Sequence, residues 1–199
     1  MNKTAFAFAS LLAFMGTAQA QVAPAPGTII PAPMRFTLGF NAVGGGDELV
    51  VAERTNGDSD TIKAGRGVTA YAGVDYQITP VFSMLASIGY QSDRKSADNG
   101  TLKFTRVPVE LLAFFHPSAN WRVGGGLRYV SNATLSGSGV VNIGDIEFDN
   151  TTSGVIEAEY LAGRNWGFQL RYVHERFKVD GYNGKINADQ AGLGVRYYF

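Results

Sequence analysis

The chain of 199 residues contains no cysteine and only two histidines. The missing thiols exclude a disulfide framework, a cysteine nucleophile and cysteine-ligated zinc. Basic and acidic residues balance at 17 each, which argues against a protein that binds nucleic acid through a basic surface. After the N-terminal segment, no apolar run reaches the roughly 20 residues that a membrane-spanning helix needs. If the chain crosses a membrane, it must do so as a closed β-barrel, because lipid cannot satisfy an open sheet edge.

The N-terminal segment has the composition of a secretory signal peptide. Lys3 gives a basic start, Ala5–Met15 is an uncharged apolar run, and Ala18–Ala20 is a small-x-small cleavage site. We expect cleavage after residue 20. This division leaves a proline-rich periplasmic leader at 21–34 and one barrel domain at 35–199.

After the leader, polar and apolar residues alternate in eight segments. A period of two places the two sets on opposite faces of β-strands. In the last segment, Leu193, Val195 and Tyr197 share the apolar face with the terminal Phe199, while Arg196 lies on the other face. The segments are Arg35–Val43, about Gly67–Ile78, Val81–Gln91, about Leu102–Phe115, Trp121–Val130, a sixth that ends near Leu161, Trp166–Glu175 and Asn187–Phe199.

The connections between the segments alternate in length. Short turns at Thr79-Pro80, His116–Asn120 and Ala162–Asn165 separate long polar loops at Gly44–Arg66, Ser92–Thr101, Ser131–Thr152 and Arg176–Ile186. In bacterial barrels, short turns face the periplasm and long loops face the outside. Aromatic residues gather near both ends of the segments, as two membrane interfaces require. The pattern predicts an all-β fold, an eight-stranded antiparallel up-and-down transmembrane β-barrel.

The face opposite the apolar one carries five acids and five bases. They are Asp75, Arg106, Glu110, Arg122, Arg128, Glu157, Glu159, Arg171, Glu175 and Arg196. An eight-stranded barrel is just wide enough for side chains to fill its interior, and buried charges persist only when they are paired. We expect a neutralised network that plugs the barrel, with a narrow gated pore as the alternative. The uncharged residues on the same face that would join the network are Tyr71, Gln77, Ser83, Ser87 and Gln169. These charges also argue against a soluble sandwich or lipocalin-like barrel, whose sealed core would be the apolar face.

Basic residues also occur on the apolar-face parity, beyond the aromatic residues at the loop ends of the strands. They are Arg66, Arg94, Lys103, Arg176 and Lys178. Arginine and lysine favour phosphate, so these side chains are candidates for contact with lipopolysaccharide phosphates. Snorkelling of long basic side chains to the interface is the alternative. Arg176 and Lys178, which protrude together, are the best candidates for a shared site.

The signal peptide, the leader, the eight segments, Arg106-Val107-Pro108-Val109-Glu110 and the terminal Tyr-Tyr-Phe resemble the small porin-like outer-membrane β-barrels. This group includes outer membrane protein A-like and opacity-type barrels. The resemblance implies a bacterial outer-membrane protein that is structural, adhesive or weakly pore-forming, without a cofactor or a metal. Phe199 looks like the C-terminal signal that the barrel-assembly machinery reads. The other expected partners are outer-membrane lipids, lipopolysaccharide and an unknown extracellular ligand or host surface, and not nucleic acid.

Enzyme chemistry has little support in the sequence. Lipid A deacylases, which are outer-membrane barrels, carry a His-x-Ser pair in a late strand, but here His174 is followed by Glu175 and Arg176. The serine nucleophile is therefore missing from that position. His116 lies beside a proline in a short turn, where a solvated histidine is the simplest interpretation. We expect no catalytic residue, and a non-enzymatic barrel that supports envelope integrity and displays surface loops.

Overall fold

The computed structural model describes residues 33–53, 59–97, 100–139, 145–178 and 185–199. The signal peptide and nearly all of the leader lie outside these ranges and stay predictions. The described strands are β1 (Met34–Gly44), β2 (Glu48–Glu53), β3 (Ser59–Lys63), β4 (Gly67–Thr79), β5 (Phe82–Ala97), β6 (Gly100–Ser118), β7 (Trp121–Gly139), β8 (Asp145–Phe148), β9 (Thr151–Ala162), β10 (Trp166–His174), β11 (Arg176–Lys178), β12 (Lys185–Asn187) and β13 (Gln190–Tyr198). No helix in the described ranges is long and apolar enough to cross a membrane.

Eight of these strands close into an antiparallel barrel. Its order around the wall is β1, β4, β5, β6, β7, β9, β10 and β13, and β13 pairs back onto β1. The closing ladder runs from Thr37 opposite Tyr198 to Gly44 opposite Ala191. Every barrel strand thus has two hydrogen-bonded neighbours and the barrel has no free edge. The predicted eight-stranded up-and-down barrel is confirmed.

Burial alternates along the barrel strands, and the apolar residues point outward. Leu127 and Leu193 are 63% and 66% exposed, whereas Arg106 and Arg122 are fully buried. This arrangement inverts that of a soluble protein, because the solvent around the barrel wall is lipid. Aromatic pairs lie at the end with the short turns, including Trp121 with Tyr160 and Trp166 with Tyr197. We call this the turn-side end and the opposite one the loop-side end.

The long loops contain more strand than the sequence predicted. β5 extends to Ala97 and β6 begins at Gly100, both inside the predicted loop Ser92–Thr101, and β7 continues to Gly139. The other three loops contribute the paired strands β2–β3, β7–β8 and β11–β12. The loop boundaries were wrong because alternation persists there. Inside the predicted loop Ser131–Thr152, Ala133 and Leu135 are buried, while Thr134 between them is more exposed.

These loop-side extensions enclose an apolar cluster, which we call the apolar cap. It comprises Ala64, Leu102, Phe104, Val130, Ala133, Leu135, Phe148, Phe177 and Ala188. Three of its rings, those of Phe104, Phe148 and Phe177, have centroids 5.5 to 6.3 Å apart. Burial of these rings stabilises the loop-side hairpins against one another.

A second apolar cluster lies inside the barrel itself. It comprises Leu85, Leu112, Phe114, Val155 and Val173, all on inward parity. Gly124 makes room for it, since a Cβ there would lie 2.7 Å from the Phe114 ring. The sequence pattern suggested a wholly polar interior. This cluster shows that part of the interior is apolar.

Candidate functional site

The interior of the barrel contains one continuous chain of ion pairs with alternating sign, which we call the charge ladder. From the turn-side end it runs Arg35, Asp75, Arg122, Glu159, Arg196, Glu157, Arg171, Glu110, Arg128, Glu175 and Arg106. The shortest nitrogen–oxygen distances are 2.5–3.0 Å at most steps. They are 3.7 Å between Arg171 and Glu157 and 3.3 Å between Arg128 and Glu175. All ten residues predicted for the inner face lie on this ladder.

Each carboxylate of the ladder contacts two arginines. Glu159 Oε2 accepts from Arg122 Nε at 2.7 Å and from Arg196 Nη1 at 2.6 Å, while its Oε1 accepts from the Tyr198 hydroxyl at 2.8 Å. A Cβ at Gly167 would collide with that carboxylate. Such charge-assisted bonds offset the desolvation of buried ions.

Uncharged side chains complete the ladder. Gln91 accepts from Arg128 Nη2 at 2.7 Å and donates to Gln190 at 3.2 Å. The Tyr71 hydroxyl bonds Gln169, and Tyr198 also accepts from Arg122. Of the predicted uncharged partners, Tyr71, Ser83 and Gln169 contact the ladder, whereas Gln77 bonds the backbone oxygens of Thr79 and Phe82 instead. The prediction missed Gln91, Gln190, Tyr198 and the charged Arg35. Their inward parity is the signal that could have found them.

At its turn-side end, the ladder reaches solvent through Arg35. The Arg35 side chain is 25% exposed and lies 4.2 Å above the Tyr198 ring. Nearby, Ser83 Oγ and His116 Nε2 are 2.9 Å apart, and Arg122 Nη1 donates to Ser83 at 3.3 Å. The expectation of a solvated His116 was therefore wrong. The ring is half-buried because it packs into the turn-side mouth of the barrel.

The loop-side end of the ladder stops under the apolar cap. The Arg106 guanidinium is fully buried and bonds Glu175 through Nη1 at 2.5 Å. Its carbon lies 5.4 Å from the Phe104 ring centroid and 5.7 Å from that of Phe177. The rings of Phe104 and Phe177 thus make cation–π contacts with the guanidinium at the end of the ladder.

A pocket of about 180 Å³ lies beside the middle of the ladder. Its lining comprises Asn41, Thr69, Tyr71, Ser87, Gly89, Pro108, Glu110 and Arg171. The pocket is smaller than most small-molecule sites, which occupy roughly 300–1,000 Å³, and it has room for about one water molecule.

The five basic residues that were predicted to contact lipopolysaccharide lie in two separate places. Arg66, Arg94 and Lys103 are exposed at the loop-side ends of β4, β5 and β6. Arg176 is exposed on β11, on the other side of the barrel, and the Lys178 side chain lies outside the described side chains. The structure therefore gathers Arg66, Arg94 and Lys103, whereas the sequence favoured Arg176 and Lys178 for a shared site.

His174 forms a small surface cluster near the loop-side end of β10. Its Nδ1 lies 2.9 Å from Asp189 Oδ1, and Asp189 also accepts from the Tyr172 hydroxyl and from the Glu175 backbone N–H, each at 2.9 Å. Partial burial would raise the pKa of Asp189, but the bonds from Glu175, Tyr172 and His174 outweigh it and lower that pKa. No hydroxyl is bonded to His174 among the described contacts, and the described residues hold no cluster of metal ligands.

Phe199 closes the wall of the barrel. Its backbone N–H donates to Phe36 O at 3.0 Å, and its exposed ring lies 4.9 Å from that of Tyr197. The terminal residue therefore belongs to the turn-side aromatic girdle. Whether it is also an assembly signal stays a prediction.

An antiparallel barrel with an apolar outer wall and buried ion pairs is the architecture of a membrane-spanning β-barrel. The model of the outer membrane protein beta-barrel domain family matches residues 6–199. The chain therefore belongs to this family and resides in the bacterial outer membrane. A search of curated proteins found no match.

Solved structures show the same fold at low sequence identity. Ail, the attachment invasion locus protein of Yersinia pestis, in complex with the heparin analogue sucrose octasulfate, is 15% identical. The match covers 83% of this chain and 97% of Ail, with a TM-score of 0.54. Neisserial surface protein A is 13% identical over 84% of this chain and 98% of that protein, with a TM-score of 0.47. These matches concern the fold, and they do not identify a ligand of this chain.

Proposed function

We propose that the protein is a non-enzymatic, non-conducting barrel that supports the outer membrane and displays its loop-side hairpins at the cell surface. The observation that carries this proposal is the uninterrupted charge ladder beneath the apolar cap. Side chains of the ladder cross the interior from six of the eight barrel strands, with Arg35 added from a seventh. A polar solute would have to pass both the ion pairs and the buried rings of Phe104 and Phe177.

Opening such an interior is costly. Removal of one partner from a buried ion pair costs about 3–5 kcal/mol, and a pore through the ladder needs several pairs to part together. The ladder is therefore suited to holding the eight strands together rather than to passing ions. Its six arginines and five carboxylates nearly cancel, so the ladder offers little selectivity for either sign of ion.

The test is the conductance of the refolded protein in planar bilayers, with a large porin as the control for membrane quality. We expect no stable unitary current from this protein. Insertion is checked in parallel by heat-modifiable migration and by protease protection in liposomes. Reproducible current steps from inserted protein would favour the rival function, a small diffusion channel, for which the pocket beside Glu110 and Arg171 is the supporting observation.

Surface attachment is a second part of the proposal. The hairpins β2–β3 and β11–β12 project from the loop-side end as ordered strands, and ordered hairpins can present a fixed surface to a ligand. A structure of similar fold carries the name attachment invasion locus protein. A deletion strain should lose attachment to host surfaces while its lipid A mass spectrum stays unchanged. A change in lipid A would instead support an enzyme.

Recognition by the barrel-assembly machinery through Phe199 is a further proposal. Deletion of Phe199 should lower the amount of folded barrel and expose unfolded chain to periplasmic proteases. Pulse-labelling with a folding-dependent gel shift would measure this loss. Normal accumulation of the truncated protein would show that the terminal aromatic residue is not needed as a signal.

A further inference from the structure

Three cations form one row on the outer wall of the barrel, and we call Arg66, Arg94 and Lys103 the rim patch. Arg94 and Lys103 are directly opposite each other in the β5–β6 ladder. Val68 with Ser92 is the last pair of the β4–β5 ladder on the loop side, and Arg66 and Arg94 each lie two residues beyond it. The backbone of Gly67, next to Arg66, approaches Ser92 and Asp93.

The row is compact and faces outward. Neighbouring strands lie about 4.8 Å apart, so the three backbone positions span about 10 Å. All three residues are exposed and share the parity of the lipid-facing side chains. Hydroxyl groups adjoin the row, because Ser92 and Thr105 form the next outward pair below it and Ser136 lies opposite Lys103.

The rim patch has no counter-charge in the described part of the chain. None of its three cations is ion-paired there with a carboxylate, whereas every arginine of the charge ladder has at least one acidic partner. Like charges directly opposite each other in a sheet destabilise it. Such a row is expected where an anion supplied from outside removes the repulsion.

The height of the row indicates where that anion lies. Tyr90 belongs to the loop-side aromatic girdle, and the Lys103 ammonium lies 5.8 Å from its ring centroid. Aromatic girdles mark the membrane interface, and Arg94 follows Tyr90 by four residues on β5. The rim patch therefore lies just above the hydrocarbon boundary, at the level of lipid head groups.

The geometry points to a specific site for a glycolipid head group that carries more than one phosphate, held by Arg66, Arg94 and Lys103 together. Arginine can bind phosphate through two parallel N–H donors, and lysine contributes a point charge. The site deepens the outer-membrane function proposed above, and it assigns that contact to β4–β6 rather than to Arg176 and Lys178. Conductance plays no part in it, so current through the barrel would overturn the plug and leave this site untouched.

The test compares the triple variant Arg66→Gln, Arg94→Gln and Lys103→Gln with the wild type in neutral-lipid nanodiscs. Thermal unfolding is followed as lipopolysaccharide is added, and then as dephosphorylated lipopolysaccharide is added. We expect lipopolysaccharide to raise the Tm of the wild type. The concentration for half-maximal effect should rise at least about tenfold in the triple variant, as the loss of charge-assisted hydrogen bonds predicts.

Two single variants are matched controls. Arg176→Gln removes an exposed cation at the loop-side end, and Arg164→Gln removes one from a turn at the opposite end. Both should respond to lipopolysaccharide as the wild type does. In neutral lipid the triple variant should unfold at the same temperature as the wild type or slightly higher, because repulsion is relieved, whereas a merely structural role would lower its Tm.

Three results would overturn the site. The first is an equal response of the triple variant and the wild type, which would leave snorkelling as the explanation of these cations. The second is an undiminished effect of dephosphorylated lipopolysaccharide. The third is equal stabilisation by soluble inorganic pyrophosphate in neutral lipid, which would show that any anion suffices and that no membrane-anchored head group is selected.

Discussion

The charge ladder and the apolar cap occupy the same barrel at different heights, and their chemistry is opposite. In the ladder, the buried side chains are arginine and glutamate, and the outer wall is apolar. In the cap, the buried side chains are leucine, valine and phenylalanine, and the outer residues include Lys103, Thr105 and Ser136. The two regions meet at Arg106, which bonds Glu175 below and lies close to the rings of Phe104 and Phe177 above.

Strand β6 shows the change within one element. At Arg106 and Glu110 the inward residues are charged and the outward neighbours, Val107 and Leu111, are apolar. A few residues earlier, toward the loop-side end, the inward residues are Leu102 and Phe104. The strand continues through this change, with one register shift against β7 between Thr105 and Val107, and the change follows the solvent outside. Lipid outside requires an apolar outer face and leaves polar residues for the interior, whereas water outside restores the ordinary apolar core.

The largest expected effect is a break in the ladder. Glu159→Ala removes a carboxylate that holds Arg122 and Arg196, and breaking a buried pair costs about 3–5 kcal/mol. Urea unfolding in detergent, followed by the fluorescence of Trp121 and Trp166, would measure the loss. Glu147→Ala, at an exposed position on β8, is the matched control and should stay within about 0.5 kcal/mol of the wild type. Equal effects of both changes would refute a stabilising ladder.

A break in the cap should be smaller and more local. Phe104→Ala leaves a cavity among the cap rings, and we expect a cost near the lower end of the usual range, about 3 kcal/mol. Because the cap lies beyond the ladder, hydrogen exchange should quicken in the loop-side hairpins before it does in the barrel wall. Phe40→Ala, on the lipid-facing wall, is the control and should leave the hairpins protected. Uniform loosening of the whole barrel by Phe104→Ala would contradict the separation of the two regions.

Replacement of a whole ion pair sharpens the contrast further. In the double variant Glu110→Met and Arg128→Met, Arg171 still contacts Glu157 and Glu175 still contacts Arg106. The double change should therefore cost less than the sum of the single ones. The coupling between the two sites should be on the order of 0.5–3 kcal/mol. Strict additivity in the same unfolding assay would show that the two side chains act independently.

The smallest expected effect is on the Asp189 cluster, which lies outside the barrel wall. The pKa of Asp189 is lowered in the folded protein, so its contribution to stability is present above the unfolded pKa of about 4 and is lost as pH falls below that value. Protease sensitivity of the β11–β12 hairpin should rise over that range. Asp189→Asn should be sensitive at every pH, and a hairpin with equal sensitivity in both proteins would exclude this role.

The barrel and its inner charges could be predicted because a strict period of two carries the information. Once the apolar face of β9 was known, parity alone placed Glu157 and Glu159 inside. Parity also held for Arg35, which had been overlooked because it begins its strand. The partners within the ladder could not be predicted, since cross-barrel pairing depends on the tilt and the stagger of the strands.

The loop-side structure was harder to predict for a different reason. The polar outward residues of the hairpins resemble loop composition, and they hid the inward positions of Ala133, Leu135 and Phe148. Asp189 contacts His174, which lies 15 residues earlier in the sequence. The alternation of polar and apolar residues does not indicate such a contact. The placement of Arg66 and Arg94 just beyond the same end of the β4–β5 ladder needed the strand register, which periodicity does not give.

The barrel wall is taller on one side. Strands β6 and β7 each contain 19 residues, while β10 and β13 contain 9. At about 3.3 Å per residue, 19 residues reach about 60 Å along the strand. With a tilt of about 40°, that length rises some 20 Å above an apolar band about 25 Å tall. The wall of β6 and β7 therefore continues unbroken into the sugar layer of the cell surface, whereas above β10 and β13 the described residues form only the separate β11–β12 hairpin, so a neighbour that diffuses in the membrane encounters two different sides.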